Sequence, residues 1–108
     1  MQRLRGLTMT LILCGAAVAA RAQSVDPAIG RHVAETTCGE CHDVGPDAPA
    51  KNPKSGAPSF LAVSRMPSTT GTSLKVFLST SHAKMPNILL TSEEIDSVAA
   101  YILGLSKK

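Results

Sequence analysis

Five consecutive residues, Cys38-Gly39-Glu40-Cys41-His42, hold the densest group of reactive side chains in this chain. Two thiols separated by two residues, with an imidazole directly after the second, suit three chemistries. They can form a dithiol redox couple, contribute to a zinc site, or attach a haem covalently. Each chemistry needs different companions. A thioredoxin-like dithiol sits beside a strand-helix-strand pattern, and no alternating run long enough for a sheet occurs here. A structural zinc ion takes four Cys or His ligands. Beyond residue 22 the candidates are Cys38, Cys41, His32, His42 and His82, and the neighbours Cys41 and His42 are awkward joint ligands. A Cys38–Cys41 disulfide would close a very small loop and add little stability. Haem attachment fits the spacing best. Two thiols on one turn can reach the two vinyl groups of a porphyrin, and His42 follows them to the iron as proximal ligand.

An iron held by His42 on one face needs a ligand on the other. The candidates are Met85, Met66, His82 and His32. Met85 lies in the irregular segment Lys84-Met85-Pro86-Asn87, where the proline prevents helix and lets the side chain turn inward. Met66 also precedes a proline and is its rival, with gap filling beside the haem as its plainer role. His82, three residues before Met85, can replace it if the segment shifts. His32 falls in the first helix, on its solvent side.

The elements that must position these groups are helical. Asp26 is the N-cap and Pro27 the first residue of a helix that runs toward the motif, with Ile29, Val33 and Thr36 or Thr37 on one face. Residues 43–59 are rich in Pro, Gly and small polar residues and read as a loop too long to be ordered by its own packing, which suits a segment that wraps something. Residues 60–63 make a short helical piece. Leu74, Phe77 and Leu78 line one side of the next helix, which breaks at Pro86. Thr91 and Glu94 form a capping box ahead of a helix with Ile95, Val98, Ala99, Ile102 and Leu105 as its stripe and Gly104 as its stop. The fold class is all-α. Phe60, Leu74, Phe77, Leu78 and Ile95 are expected in the core or against a cofactor.

Residues 1–22 read as a cleaved secretory signal peptide. Arg3 and Arg5 precede an apolar run of about 14 residues, shorter than the ~20 of a membrane helix, and Ala20-Arg21-Ala22 ends it as a cleavage site. Residues 23–108 then form one small domain. The three arginines leave with the signal, so the formal +3 of the whole chain falls to zero, with eight bases against eight acids. The basic pI of the full sequence therefore gives no argument for nucleic acid, and no basic run with interleaved aromatics does either. With no Trp, one Tyr and two Phe, the side chains alone make a thin core.

Residues 30–42, the stretch Gly56-Ala57-Pro58-Ser59-Phe60, Met85-Pro86-Asn87 and residues 93–105 together resemble the small single-haem class I cytochromes c of bacteria, over nearly the whole of residues 23–108. The resemblance implies crossing N- and C-terminal helices and loops wrapped around one covalent haem c. That haem is held through Cys38 and Cys41, with His42 and Met85 as axial ligands. It also implies a backbone carbonyl on the second ring nitrogen of His42, for which Pro58 is the candidate and Pro46 the substitute. Gly30 and Tyr101 occupy the positions where the family's first and last helices meet, and Ala34 stands where mitochondrial members carry an aromatic.

The function expected is that of a periplasmic one-electron carrier, a monomer and not itself an enzyme, since no paired carboxylates or nucleophile–base set is present. The alternatives are a haem subunit of a periplasmic dehydrogenase or oxidase complex, and an open-site gas-binding haem protein. Lys51, Lys54, Arg65, Lys75 and Lys84 fall in a stretch without acids, which suggests a basic rim that steers acidic redox partners. No nucleic-acid partner and no stable membrane insertion after cleavage are expected.

Overall fold

Asp26 is extended (φ −121°, ψ 110°), and its carboxylate accepts the Ala28 N–H at 2.8 Å, which starts helix α1 (Pro27–Val33) at the proline. The computed structural model describes residues 25–80, 82 and 84–107. Residues 1–22, read from the sequence as a signal peptide, lie outside the described residues. Besides α1, the helices are α2 (Phe60–Arg65), α3 (Gly71–Leu78) and α4 (Ser92–Leu105). A π-helical turn (Ala34–Cys38) extends α1, and a 3-10 turn covers Pro53–Ser55. Among the described residues there is no strand beyond the isolated bridges Gly45–Ala48 and His82–Met85, so the all-α class holds. Among those residues no helix is long and apolar enough to cross a membrane.

The crossing of α1 with α4 organises the core. A Cβ built on Gly30 would overlap the Ser97 carbonyl and come within 2.9 Å of the Val98 nitrogen, so the two main chains touch where only glycine fits. The Asp26 N–H also donates to the buried Ser97 hydroxyl at 3.3 Å. This contact centres the buried side of α1 on Gly30, which keeps Val33 of the expected face inside and leaves Ile29 out. Gly30, Val33 and Ala34 are buried, whereas Ile29 is 39% exposed. From α4 the core takes Val98, Ala99 and Ile102, which meet Phe60 of α2 and Leu74 of α3.

Local capping fixes the other helix ends. Thr91 and Glu94 form the reciprocal capping box at the start of α4, and Thr70 with Ser73 does the same for α3. Gly104 does not stop α4, which runs through it to Leu105. Nor does α3 wait for Pro86. It ends at Leu78, where the Ser79 and Thr80 hydroxyls bond back to the Lys75 and Val76 carbonyls at 2.6 and 2.9 Å and compete with further winding. Of the residues expected inside, Phe60 and Leu74 are buried, Leu78 and Ile95 are half-buried, and Phe77 is 51% exposed.

Candidate functional site

The π turn delivers α1 into the motif. Its wide ring closes where the Gly39 N–H reaches the Ala34 carbonyl five residues back, at 2.9 Å. A Cβ on Gly39 would stand 2.7 Å from the Glu35 carbonyl oxygen. The next turn keeps the motif wound, with Cys41 and His42 N–H groups donating to the Cys38 carbonyl at 3.2 and 3.0 Å. Cys38 and Cys41 are thus one turn apart and both carry free thiols, the first buried and the second half-buried. Burial pushes the Cys38 thiol up to about 11, because the thiolate would lose its hydration there.

Residues 50–60 hold the motif from outside. Lys51 and Asn52 N–H groups donate to the Gly39 and Glu40 carbonyls at 3.0 and 2.8 Å, and the Ser55 hydroxyl donates to the Cys41 carbonyl at 2.7 Å. Asp43 takes two more bonds, its carbonyl from the Phe60 N–H at 2.9 Å and its carboxylate from the Ala50 N–H at 2.6 Å. The long loop is therefore ordered by hydrogen bonds to the motif's own main chain, which its composition did not indicate. Gly56 then turns the chain with φ of 73° and brings the Pro58 carbonyl oxygen to 2.7 Å from His42 Nδ1. A carbonyl only accepts, so that contact requires a proton on Nδ1, and in the neutral tautomer this defines, the lone pair available to a metal is the one on Nε2. The imidazole also lies against Phe60, ring centroids 5.2 Å apart. Pro46 is elsewhere, beside Arg31, Glu35 and Tyr101.

The second part of the site is a cleft into which Cys38 opens. Leu78, Thr80, His82, Met85 and Leu90 are among its walls. Met85 is half-buried there and pairs with His82 in the isolated antiparallel bridge. The His82 ring stacks on Phe77, centroids 3.4 Å apart and planes 25° from parallel. Met66 is not in this cleft. It caps the C-terminus of α2 in an extended conformation and is 45% exposed. His32 is exposed on α1. Among the described residues no three His, Cys, Asp or Glu side chains converge as a metal held by such ligands alone would require.

The five basic residues between 51 and 84 are all exposed. Lys75 is engaged with Asp96 of α4 at 2.8 Å, so its charge is partly offset. The sequence reading missed the supporting roles of Asp43 and Ser55 and the stacking of Phe77. An acid directly after the motif and a serine in a Pro-Gly loop were the signals for the first two. The chain matches no protein-family model, no curated protein and no solved structure in the comparisons made with known proteins.

Proposed function

We propose that this chain is an exported c-type cytochrome of the class I kind, a single-haem protein that carries one electron at a time between redox partners in the periplasm. The observation that carries the reading is the state of His42. Its Nδ1 is engaged by Pro58 at 2.7 Å, one residue after a pair of thiols wound on a single turn, which is how a metal-bound histidine is oriented and its ligating nitrogen kept basic.

The donor set fits a haem on chemical grounds. Cys38 and Cys41 would make the thioethers, His42 Nε2 the proximal bond, and Met85 the distal one, since it shares a cleft with Cys38 while Met66 is 45% exposed at a helix end. When bound, haem supplies an iron that cycles between ferrous and ferric states. The chain's own residues orient the imidazole, place a soft thioether that favours the ferrous state, and bury the Cys38 side of the site. Exposed Lys51, Lys54, Arg65 and Lys84 offer an acidic partner a favourable approach, with Lys75 contributing less because of Asp96.

A haem subunit of a larger complex is the second reading. Adjacent Val76 and Phe77 on α3 are 59% and 51% exposed, and Leu89 is 92% exposed, as an apolar docking face would require. Co-purification of the exported protein at native levels separates the two, a carrier eluting as a monomer.

The test of the main reading is an optical spectrum of the chain expressed with a haem-attachment system. A covalent haem with a sharp reduced α band, the weak near-infrared band of Met-ligated ferric iron and no change on adding carbon monoxide is expected. Absence of any haem spectrum would end the reading, and a ready carbon monoxide shift would redirect it to an open-site protein.

A further inference from the structure

We infer that His82 is a built-in second distal ligand, held beside Met85 and parked on Phe77, which takes the ferric iron whenever the Met85 thioether leaves. This rests on the haem reading above. Three observations place it there. His82 and Met85 line the same cleft, the one into which Cys38 opens. They are also the two partners of an isolated antiparallel bridge, and directly opposed residues of such a pair project to the same side with Cβ atoms about 5 Å apart. Exchange therefore asks for a movement of side chains and one short segment, not for refolding. Finally, the imidazole lies on the face of Phe77, centroids 3.4 Å apart, and Phe77 is itself 51% exposed and is not part of the cleft wall. Phe77 thus acts from outside, holding the ring at the margin of the site.

The chemistry of exchange is simple. Were haem bound, Met85 would give up its bond to the iron and the His82 imidazole would supply a nitrogen in its place, with no electron transferred. A nitrogen donor suits ferric iron better than a thioether, while the thioether suits the ferrous state. Met66, the other methionine considered, cannot play this part from an exposed helix end. His32 cannot either, being on the exposed face of α1.

The experiment uses the full, haem-loaded chain at pH 8, where an ordinary imidazole is neutral. Ferric spin state by optical and paramagnetic resonance spectra, and the affinity for added imidazole, are compared in wild type, Met85→Ala, Met85→Ala/His82→Ala and Phe77→Ala. Met85→Ala is expected to lose the Met-specific near-infrared band yet stay six-coordinate and low-spin. The double variant is expected to become high-spin and to bind imidazole at least about tenfold more tightly than the single one. Phe77→Ala, at an exposed position, is expected to raise the His-ligated fraction of the ferric protein about two- to tenfold, the range set by loss of one aromatic stack. A high-spin Met85→Ala with the imidazole affinity of the double variant overturns the inference and leaves the haem reading intact. A wild-type chain that takes up no haem overturns both.

Discussion

His42 Nδ1 lies 2.7 Å from the carbonyl oxygen of Pro58, although sixteen residues separate the two in the chain. The contact depends on the turn just before it. Gly56 has a φ of 73°, a left-handed conformation that an L side chain resists, and it follows directly on Ser55, whose hydroxyl is tied to the Cys41 carbonyl. Motif and acceptor are thus linked twice within a few residues, once through a side chain and once through the ring.

Substitution Gly56→Ala isolates the turn, because nothing lies within 4 Å of the added methyl group. Its cost is conformational, about 1–2 kcal/mol. The variant is expected to lose that much stability in urea denaturation and to exchange its His42 ring N–H faster in nuclear magnetic resonance spectra. Unchanged exchange at lower stability would mean that Gly56 shapes the loop without holding the Pro58 carbonyl in place.

Two glycines of the terminal helices should respond in opposite directions to the same change. Gly30→Ala drives a methyl into the Ser97 carbonyl and the Val98 nitrogen, and main-chain atoms of α4 cannot rotate away. A loss of about 3 kcal/mol is expected, at the upper end of overpacking costs. Gly104→Ala meets nothing within 4 Å in the last turn of α4 and should gain about 0.5 kcal/mol from helix propensity, less than at an interior position. Thermal denaturation of both variants beside wild type gives the signs, and a Gly30→Ala as stable as wild type would refute the close crossing.

The features legible in the sequence were the local ones. The Asp26 cap, the Thr91–Glu94 box and the all-α class rest on neighbours in the chain, and the structure has them. Features set by distant main chain were not legible. Ile29 and Val33 both looked buried because they are apolar at helical spacing, and Val33 is, but the approach of α4 at Gly30 left Ile29 39% exposed. The order in residues 43–59 comes from N–H groups of Lys51 and Asn52 reaching the motif, and backbone bonding of this kind leaves no periodic trace. At the site, Met66 and Met85 each precede a proline, so spacing alone could not separate them. In the structure Met85 lines the cleft shared with Cys38, whereas Met66 stands at an exposed helix end.

Tyr101 donates its hydroxyl hydrogen to the Val44 carbonyl, in the space left by the missing side chain of Gly45. Val44 is 1% exposed, so Tyr101→Phe strands a buried acceptor and is expected to cost about 1–3 kcal/mol in urea denaturation. Partial burial also pushes the Tyr101 phenol above its ordinary value. The folded state therefore favours the protonated phenol. Its contribution is complete below the unfolded value of about 10 and declines as pH rises through the higher folded one. Wild type should lose stability over that alkaline interval, and Tyr101→Phe should lose less. Identical alkaline profiles would show that the phenol does not titrate against folding.

The two free thiols should differ in reactivity. Burial raises the Cys38 thiol to about 11, so at pH 8 only about one molecule in a thousand carries the reactive thiolate there. Cys41 is half-buried and more accessible. Alkylation of the reduced, haem-free chain at pH 8, followed by peptide mass spectrometry, is expected to label Cys41 well ahead of Cys38. The raised value also favours folding below the unfolded thiol's value of about 8.5, and this contribution is lost as pH climbs toward 11. Labelling of Cys38 should therefore accelerate over this interval. It gains both from ionisation of the thiol and from loosening of the packing that hides it. Equal labelling rates already at pH 8 would mean that the packing around Cys38 does not shield its thiol in solution.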